Sequence, residues 1–412
     1  MNDWQQSENE VIFKVAGIIV RNRKLLLTRT RGTDLFLSPG GKPLAGEDSE
    51  EALRRELAEE TGLVTIQADY FGRFEGISAF EPTKKIVMDT YQVIVGGDPF
   101  PGREISELIW VGGDHLKIGI GVGSVFRDSV IPALLERGLI DCDSFDSSFS
   151  KSANLDAPVF TIVDLDGSIV FRNEPLDPRI AAAIEATRRS RAKVMFATSR
   201  APRGVTHILP EALWEVPTIY CNGALIKSGK NELSRVPIET AVFREICDHL
   251  LTKGISFQLE YGETFSLFGR KEQFPHLLSY DRYEVNPTIQ ESTFDGILKI
   301  ALPEREVVYR MLRSKRHLLP HLHTLSHSSG FVELVAAGVD KLSAVKSLVN
   351  DRYAYVIAFV NDYNDFGLLT GCSSAVVIGR RLWSARYLCR TMFIRPNVDE
   401  ISGAFFRIAS RF

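Results

Sequence analysis

The chain has 412 residues, 44% of them hydrophobic and 25% charged, and this length predicts two or three folding units. Its formal net charge of −3 gives no electrostatic reason to expect nucleic acid or an anionic membrane as a partner. The polar start MNDWQQSENE, the lack of an apolar run of about 18 residues and five widely spaced cysteines without a CxxC pair lead us to expect a soluble cytoplasmic protein.

The first part of the chain predicts strands around one helix. Residues 11–20 and 24–30 have the pattern of two strands joined by a tight turn. The loop SPGGKPLAGEDSE precedes a helix that Asp48 or Ser49 can cap and that Gly62 can end. Further strands are predicted in KIVMDTYQVIV and ELIWV, before a closing helix in FRDSVIPALLERGLI.

A segment with the composition of a linker precedes the second unit. Residues 141–156 are rich in Ser and Asp and show no periodicity, which predicts a linker. From PVFTIVDLDGSIV onward, strands and helices alternate as in a parallel α/β sheet. We therefore expect one domain in residues 1–140 and another in residues 157–412.

The stretch RELAEETG places Glu56, Glu59 and Glu60 on the predicted helix. At about 100° per residue, Glu60 projects within about 20° of the apolar Leu53 and Glu56 within about 60°, whereas a solvated acidic face would lie opposite. Carboxylates near a packed face need a counter-charge, which a hard divalent ion such as Mg²⁺ or Mn²⁺ supplies. The pattern therefore predicts a metal site.

The wider spacing resembles the Nudix box at every defined position. The matching residues are Gly41, Glu47, Arg55, Glu56, Leu57, Glu59, Glu60 and Gly62. The resemblance covers about residues 11–140 and implies an α/β/α sandwich that holds Mg²⁺ and cleaves a nucleoside diphosphate linked to another group.

By this resemblance Glu56, Glu59 and Glu60 bind metal, and Glu59 and Glu60 belong to the catalytic group. The backbone of Gly41 assists at the metal and the substrate, while Arg55 and Glu47 brace the loop.

Two features of this half stay open in the sequence. The motif does not fix a general base, and Glu104 and Glu107 are the candidates. The glycine-rich IGIGVGSV lacks GxxxxGK[ST] and does not join a strand to a helix of a βαβ unit, so we interpret it as a flexible loop.

Asp164 and Asp166 follow a hydrophobic strand in the second half. Carboxylates two residues apart at the carboxyl end of a strand can converge on one crevice, where one attacks phosphorus and the other exchanges a proton with the leaving group. A DxD pair alone is also typical of a solvated turn, so the downstream residues decide between the two interpretations.

Polar residues follow later strands in the same way. They are Thr198 and Arg200 in ATSR, Asn222 and Gly223 in CNGA, Lys341 in GVDK, and Asn361, Asp362 and Asp365 in VNDYND. Together with the DxD pair they resemble the four motifs of the haloacid dehalogenase (HAD) phosphatases of the Cof type, over about residues 157–412.

This resemblance implies that Asp164 is a nucleophile that forms an aspartyl-phosphate, that Asp166 is the acid/base and that Lys341 is catalytic. It assigns the remaining positions as substrate-binding Thr198, Arg200 and Asn222 and metal-binding Asp164, Asp166, Asn361 and Asp365.

The fourth motif departs from the family pattern. Asn361 stands where the first aspartate is usual, so a bound Mg²⁺ would meet one negative charge fewer, and Asp362 is the alternative ligand.

The distance of 143 residues from Thr198 to Lys341 exceeds one βα crossover. We expect a C2-type α/β cap in residues 227–330, with the core in residues 157–226 and 331–412. The cap contains HLLPHLHTLSH; because no cysteine or carboxylate lies inside this run, we interpret its histidines as part of a structural strand rather than a zinc site. They are His317, His321, His323 and His327.

The sequence thus predicts a bifunctional Mg²⁺-dependent hydrolase: a pyrophosphatase followed by a phosphomonoesterase, acting on small-molecule nucleotides and phosphate esters. The two reactions are compatible with a series, but the sequence does not establish that they act in one. Nucleotide sugars, ADP-ribose, FAD-like dinucleotides and a pterin triphosphate are all suitable substrates. The alternatives are a nucleotide-sensing regulatory protein and a HAD phosphomutase. The sequence does not indicate an oligomeric state.

Overall fold

The structure, a computed structural model, describes residues 11–412 apart from 82, 98, 103, 118, 143–156, 275–295, 327–330, 352, 380–381, 383–384 and 386–388. The chain divides into two compact units, Met1–Phe145 and Asp146–Phe412. The division falls within the predicted linker, of which residues 143–156 lie outside the described residues. No described helix is long and apolar enough to cross a membrane.

The N-terminal unit is built mainly of strands. Its elements are β1 Val11–Ile18, β2 Val20–Arg21, β3 Lys24–Thr30, α1 Ser49–Thr61, β4 Val64–Ile77, β5 Lys85–Gly96, β6 Ile105–Val111, a π-helical turn Phe126–Val130 and α2 Ile131–Glu136. One sheet has the order β1-β5-β4, with β1 parallel and β4 antiparallel to β5. The other is antiparallel with the order β2-β3-β6.

Helix α1 packs against β1 through its apolar side. Leu53 and Leu57 are fully buried. Gly17 of β1 gives Leu57 its space, because a Cβ at Gly17 would lie 3.0 Å from Leu57 Cδ2. This packing fixes which side of α1 faces the sheet and therefore where its glutamates point.

The C-terminal unit begins with β7 Val159–Asp164, α3 Pro178–Arg189, β8 Ala192–Ala197, β9 Thr218–Tyr220, β10 Leu225–Ser228 and β11 Asn231–Arg235. An inserted part follows, with α4 Thr240–Thr252, β12 Phe257–Glu260, β13 Phe265–Phe268, β14 Lys299–Leu302, α5 Arg305–Ser314, β15 Leu322–Ser326 and β16 Val332–Ala336. The chain then continues with α6 Lys341–Leu348, β17 Tyr355–Val360, α7 Phe366–Gly371, β18 Ser374–Ile378, β19 Arg390–Ile394 and α8 Val398–Arg411.

The main sheet of this unit has the order β11-β10-β9-β8-β7-β17-β18-β19, and its six strands from β9 to β19 run parallel. Every residue of β7 and β17 is buried, as expected for a parallel sheet covered on both faces. On one face Phe359 stacks on Phe405 of α8 with ring centroids 4.2 Å apart. The predicted α/β class is confirmed.

The inserted part forms its own antiparallel sheet, β13-β12-β14-β16-β15, which we call the cap sheet. The structure moves both cap boundaries that the sequence suggested. Strands β10 and β11 extend the main sheet beyond residue 226, and β16 pairs with β14 and β15 although it lies after residue 330. The cap therefore lies between β11 and α6.

Candidate active sites

Helix α1 is fixed at both ends by the residues that its sequence predicts. Asp48 accepts hydrogen bonds from the backbone N–H groups of Glu50 and Glu51, and Glu51 closes a capping box by accepting from the Asp48 N–H. Gly62 ends the helix in the left-handed conformation with φ 64°. The ends thus hold the intervening glutamates in place.

Two of the three glutamates point inward. Glu56 and Glu60 are half-buried, whereas the side chain of Glu59 is 63% exposed. The Gly40 N–H donates to Glu60 Oε2 at 3.0 Å. A Cβ at Gly41 would fall 2.1 Å from Glu56 Oε1, so the backbone at Gly41 lies directly against the Glu56 carboxyl group, and a larger residue would displace that side chain.

The surroundings of Glu60 disfavour its negative charge. Burial raises the pKa of Glu60 to about 7, and the carboxylates of Glu56 and Glu104 add to the rise, while the Gly40 hydrogen bond and Lys14 oppose it. The repulsion between the two inward carboxylates is the feature that a bound cation would remove.

Arg55 ties the preceding loop to the helix. Its Nε and Nη2 donate to the two carboxylate oxygens of Glu47 at 2.7 and 3.0 Å, and its Nη1 donates to Glu56 Oε1 at 2.8 Å. A further bond of 3.2 Å reaches the backbone carbonyl of Lys42. Arg55 and Glu47 therefore make the bracing contacts that the sequence suggested.

A cavity of about 290 Å³ opens beside Glu56 and Glu60. Its charged lining also includes Lys14 and Glu104. Much of the remaining wall is apolar: Ile77, Phe80, Ile86, Met88, Val125 and Phe126. This volume lies near the lower end of the range of about 300–1,000 Å³ for small-molecule sites, and a wall divided between charged and apolar groups suits an anionic ligand with an apolar part.

The structure separates the two candidate general bases. Glu107 is buried and forms an ion pair with Arg29. Glu104 lines the cavity and acts on the charge of Glu60. Of these two residues, Glu104 lines the cavity and Glu107 does not.

A buried ion cluster forms the centre of the C-terminal unit. Lys341, the first residue of α6, donates from Nζ to Oδ1 of Asp164 and Oδ1 of Asp365, at 2.6 Å each. All three side chains are at most 4% exposed. These contacts join the end of β7, the start of α6 and the turn after β17, as the predicted motifs require.

One ammonium between two buried carboxyl groups can balance the charge of only one of them if both are ionised. Burial and the neighbouring Asp365 raise the pKa of Asp164 to about 8, against the opposing effect of Lys341. For Lys341, burial alone would lower the pKa, but Asp164 and Asp365 raise it well above its usual value, so the lysine stays charged.

Asp166 is held by Arg200. The guanidinium donates from Nε to Asp166 Oδ2 at 2.8 Å and from Nη2 to Oδ1 at 2.5 Å, while the Asp166 side chain stays 43% exposed. Arg200 also donates to Asn173 Oδ1 and to the Gly204 carbonyl. The residue predicted to bind substrate is thus engaged with the predicted acid/base.

Thr198 and Asn222 lie together, but their side chains serve different contacts. Thr198 is buried after β8; its Oγ1 accepts from the Arg200 N–H, and its carbonyl accepts from the Asn222 N–H. Asn222 has φ 56° and donates from Nδ2 to Glu333 Oε2 of the cap sheet at 2.8 Å. The substrate-binding role of Asn222 stays a prediction, since its amide is engaged across the cap contact.

The fourth motif reaches the loop after Asp166. The Asn361 N–H donates to Asp365 Oδ2 at 3.2 Å, and Ser168 Oγ donates to Asn361 Oδ1 at 3.4 Å. A Cβ at Gly167 would lie 2.0 Å from Asn361 Nδ2. Asn361 thus contacts Asp365 and the loop after Asp166, and its amide oxygen has a protein donor; its role as a metal ligand stays a prediction.

Comparison with known proteins agrees with both halves. A NUDIX domain model matches residues 12–127, and a model described as haloacid dehalogenase-like hydrolase matches residues 161–381, more than half of the chain. Over 116 residues the chain is 44% identical to an 8-oxo-dGTP diphosphatase of Haemophilus influenzae, covering 26% of this chain and 82% of that protein. The chain belongs to the Nudix and HAD-like hydrolase families.

Solved structures agree in fold with the HAD unit. A crystal structure from Thermotoga maritima is 18% identical with a TM-score of 0.51, covering 60% of this chain and 97% of that one. A hypothetical protein of Geobacillus kaustophilus is 16% identical with a TM-score of 0.50, covering 61% of this chain and 98% of that one. Both units thus belong to families of hydrolases, which generally use divalent metals.

The donor groups of both units fit Mg²⁺. Among the described residues, no three His, Cys, Asp or Glu side chains cluster as a ready-made metal site. The Nudix unit instead offers the inward carboxyl groups of Glu56 and Glu60, and the HAD unit offers the buried carboxyl group of Asp164. Mg²⁺ is commonly bound by one or two carboxylates and completed by waters and substrate phosphates, and the chemistry of these donors fits that pattern.

The raised pKa of Glu60 predicts a pH-dependent stability of the metal-free protein. The folded state disfavours the ionised carboxyl group of Glu60. The stability that the neutral carboxyl group contributes is therefore fully present below pH 4.5 and is lost as the pH rises to about 7. Relative to Glu60→Gln, wild type in EDTA should lose up to about 3 kcal/mol of unfolding free energy over this window. Denaturant unfolding of wild type and Glu60→Gln at several pH values checks this prediction. Added Mg²⁺ at pH 8 should restore the unfolding free energy of wild type only. A difference in unfolding free energy between the two proteins that does not change with pH would contradict it.

Among the contacts that join the described cap to the HAD core, we call the following three, each made by a strand residue of the cap sheet, the cap clasp. Arg203 donates from Nη1 and Nη2 to Glu260 Oε1 and Oε2 at 2.5 Å each. Lys299 Nζ donates to the Ser199 carbonyl at 3.0 Å, and the Asn222–Glu333 bond completes the set. Sequence reasoning missed Arg203, Glu260 and Lys299, because each contact joins distant parts of the chain.

Breaking the cap clasp should loosen the cap. In Arg203→Ala, the nearly fully buried carboxyl group of Glu260 loses its cation. The local free energy of opening at the cap should fall by about 3 kcal/mol. The hydrogen-exchange protection of the β12 amides should therefore fall about 100-fold. Adding Glu260→Gln should recover part of this loss. The surface pair Arg395–Glu400 is the control, since Arg395→Ala should cost about 1 kcal/mol or less. Equal effects of the two arginine changes would refute the clasp.

The described histidines of the run HLLPHLHTLSH contact other protein groups in the cap. His317 pairs with Glu245, His321 with Glu239, and His323 Nδ1 lies 2.8 Å from the Val339 carbonyl. His327 lies outside the described residues. The three described histidines thus contact protein groups, as expected for structural positions.

The glycine-rich segment before the π-helical turn is packed rather than free. The Phe36 N–H donates to the Gly121 carbonyl and the Gly123 N–H donates to the Phe36 carbonyl. This backbone pairing replaces the flexible loop that the sequence suggested.

Proposed function

We propose that the chain is a bifunctional Mg²⁺-dependent hydrolase. Its Nudix unit hydrolyses a purine nucleoside triphosphate of the 8-oxo-dGTP kind to the monophosphate and pyrophosphate. Its HAD unit removes phosphate from a monoester through an aspartyl-phosphate. The observation that carries the proposal is that each unit turns its predicted acidic residues inward, Glu56 and Glu60 onto a cavity and Asp164 onto a buried lysine.

The charged and the apolar parts of the cavity wall have separate roles in the proposed Nudix reaction. Carboxylate-bound Mg²⁺ would neutralise the phosphates and activate water. Glu104 takes the proton from water as the water oxygen bonds to phosphorus and the P–O–P bond breaks, so that pyrophosphate leaves. The apolar wall receives the base, and Phe80, which is 51% exposed, supplies an aromatic face beside it. The 8-oxo-dGTP diphosphatase relative supports this substrate class.

In the HAD reaction, Asp164, Asp166, Lys341 and Thr198 have distinct roles. Asp164 attacks phosphorus with a carboxylate oxygen, the ester P–O bond breaks, and Asp166 gives its proton to the departing alcohol. Water then attacks phosphorus in the aspartyl-phosphate and gives a proton back to Asp166. The bond between phosphorus and the Asp164 oxygen breaks, and inorganic phosphate is released. Lys341 and Thr198 hold the phosphoryl oxygens. Since Arg200 binds Asp166 as an ion pair, that pair must open before Asp166 can carry the proton.

The two reactions fit in series. Pyrophosphate release leaves a nucleoside monophosphate, which is a phosphomonoester of the class that the second reaction consumes. The final products would be a nucleoside, pyrophosphate and inorganic phosphate.

A substrate panel tests this proposal on the full chain with Mg²⁺. We would measure pyrophosphate and phosphate release from 8-oxo-dGTP, dGTP, ADP-ribose, a nucleotide sugar and FAD, and phosphate release from nucleoside and sugar monophosphates. Among the five compounds that contain a pyrophosphate bond, we expect 8-oxo-dGTP or dGTP to have the highest kcat/KM. Binding without turnover of any compound would contradict it and favour a nucleotide sensor.

A further inference from the structure

Lys14 is a cation of the Nudix cavity that lies outside the Nudix box. It lies in β1 opposite Met88 of β5, and both side chains line the cavity with Glu56 and Glu60. The side chain is half-buried. Within the part of the chain that the structure describes, its ammonium has no hydrogen bond and no ion pair, whereas Arg55 on α1 is engaged by Glu47 and Glu56.

The charges around Lys14 indicate what it can bind. Burial lowers the pKa of Lys14, Glu60 and Glu56 raise it, and the nearby Lys42 lowers it. A partly buried ammonium without a partner is costly, and an anionic oxygen from a ligand removes that cost. Since Lys14 lines the same cavity as Glu56 and Glu60, the donors that would hold Mg²⁺, phosphate oxygens that bind this metal would enter the space that Lys14 also faces.

We propose that Lys14 is a substrate-binding residue of the Nudix unit, whose ammonium contacts a phosphate oxygen of the bound nucleotide. This inference rests on the proposed pyrophosphatase function. A lysine suits the task because its compact charge on a flexible stem can follow a phosphate chain. The competing interpretation is structural: the lysine would only moderate the repulsion between Glu56 and Glu60.

Three variants separate these interpretations. Lys14→Met removes the charge, Lys14→Arg keeps it, and Lys85→Met removes an exposed lysine of the same sheet as the matched control. For 8-oxo-dGTP, Lys14→Met should raise KM about tenfold or more with kcat changed only a few-fold, because a charge-assisted hydrogen bond to the ligand is lost. Lys14→Arg should restore most of the affinity, and Lys85→Met should equal wild type.

Calorimetric binding of inorganic pyrophosphate with Mg²⁺ supplies a readout without turnover. Lys14→Met should bind it about tenfold more weakly than wild type, with an unchanged melting temperature of the free protein. A lower melting temperature together with unchanged KM and pyrophosphate affinity would establish the structural role and overturn the inference.

The same set of measurements separates failure of the inference from failure of the proposed function. If wild type hydrolyses nucleotides and Lys14→Met has the same KM and the same pyrophosphate affinity, the inference fails and the function stands. If wild type turns over no nucleotide but binds pyrophosphate in a Lys14-dependent way, the anion contact stands and the hydrolase proposal fails. If wild type neither hydrolyses nucleotides nor binds pyrophosphate, both fail.

Discussion

The Asp164→Asn variant is expected to release phosphate from monoesters at least about 10⁴-fold more slowly than wild type, since no other group can take the place of a lost nucleophile. Asn has nearly the same shape, but its amide cannot form the acyl-phosphate. The buried Lys341 would still find an oxygen acceptor at this position. Steady-state phosphate release with wild type and variant measures the effect, and the rate of pyrophosphate release by the Nudix unit should not change.

The control for this variant is Asp399→Asn, an exposed carboxylate on α8. It should keep full phosphatase activity. Folding of Asp164→Asn should be preserved, because burial already raises the pKa of Asp164 and so disfavours the charge that is removed. If Asp164→Asn released phosphate at a rate within tenfold of wild type, Asp164 would not be the nucleophile and no aspartyl-phosphate would form at this residue.

The Glu60→Gln variant is expected to slow pyrophosphate release about 10²- to 10³-fold, a loss typical of one electrostatic group in an active site. Glutamine keeps the shape and can still accept the Gly40 N–H bond, so the change removes mainly the charge that faces the metal. The affinity for Mg²⁺ should fall as well. Initial rates over a Mg²⁺ titration measure both effects.

Glu136→Gln on α2 is the matched control, because Glu136 is exposed and remote in sequence from the Nudix box. It should behave as wild type. A Glu60→Gln protein with wild-type rate and wild-type Mg²⁺ dependence would show that this carboxylate does not hold the metal.

The features that the sequence predicted best are local or lie at strand ends. The limits of α1 were predictable because Asp48 and Gly62 act within one turn of the helix ends. Asp164 and Lys341 are 177 residues apart, yet their motifs placed them in one crevice because β7 and α6 both meet the carboxyl edge of a parallel sheet. The metal, substrate and catalytic roles assigned to these residues stay predictions until variants are measured.

The features that the sequence did not show depend on interrupted patterns or distant partners. Strand β4 was not predicted, because two bulges shift its register to β5 and break the alternation that marks a strand. The cap clasp joins Arg203 to Glu260 and Asn222 to Glu333 across 57 and 111 residues, so no local signal marks it. Lys14 lies in an ordinary strand pattern, and only the cavity shows its position.

A ³¹P NMR time course of 8-oxo-dGTP with Mg²⁺ and the full chain tests the serial hydrolase most directly. Wild type, Glu60→Gln and Asp164→Asn would be run side by side. The account predicts pyrophosphate and inorganic phosphate from wild type, intact triphosphate with Glu60→Gln, and accumulation of the monophosphate with Asp164→Asn. Inorganic phosphate released at the wild-type rate by Asp164→Asn, or triphosphate consumed at that rate by Glu60→Gln, would contradict it.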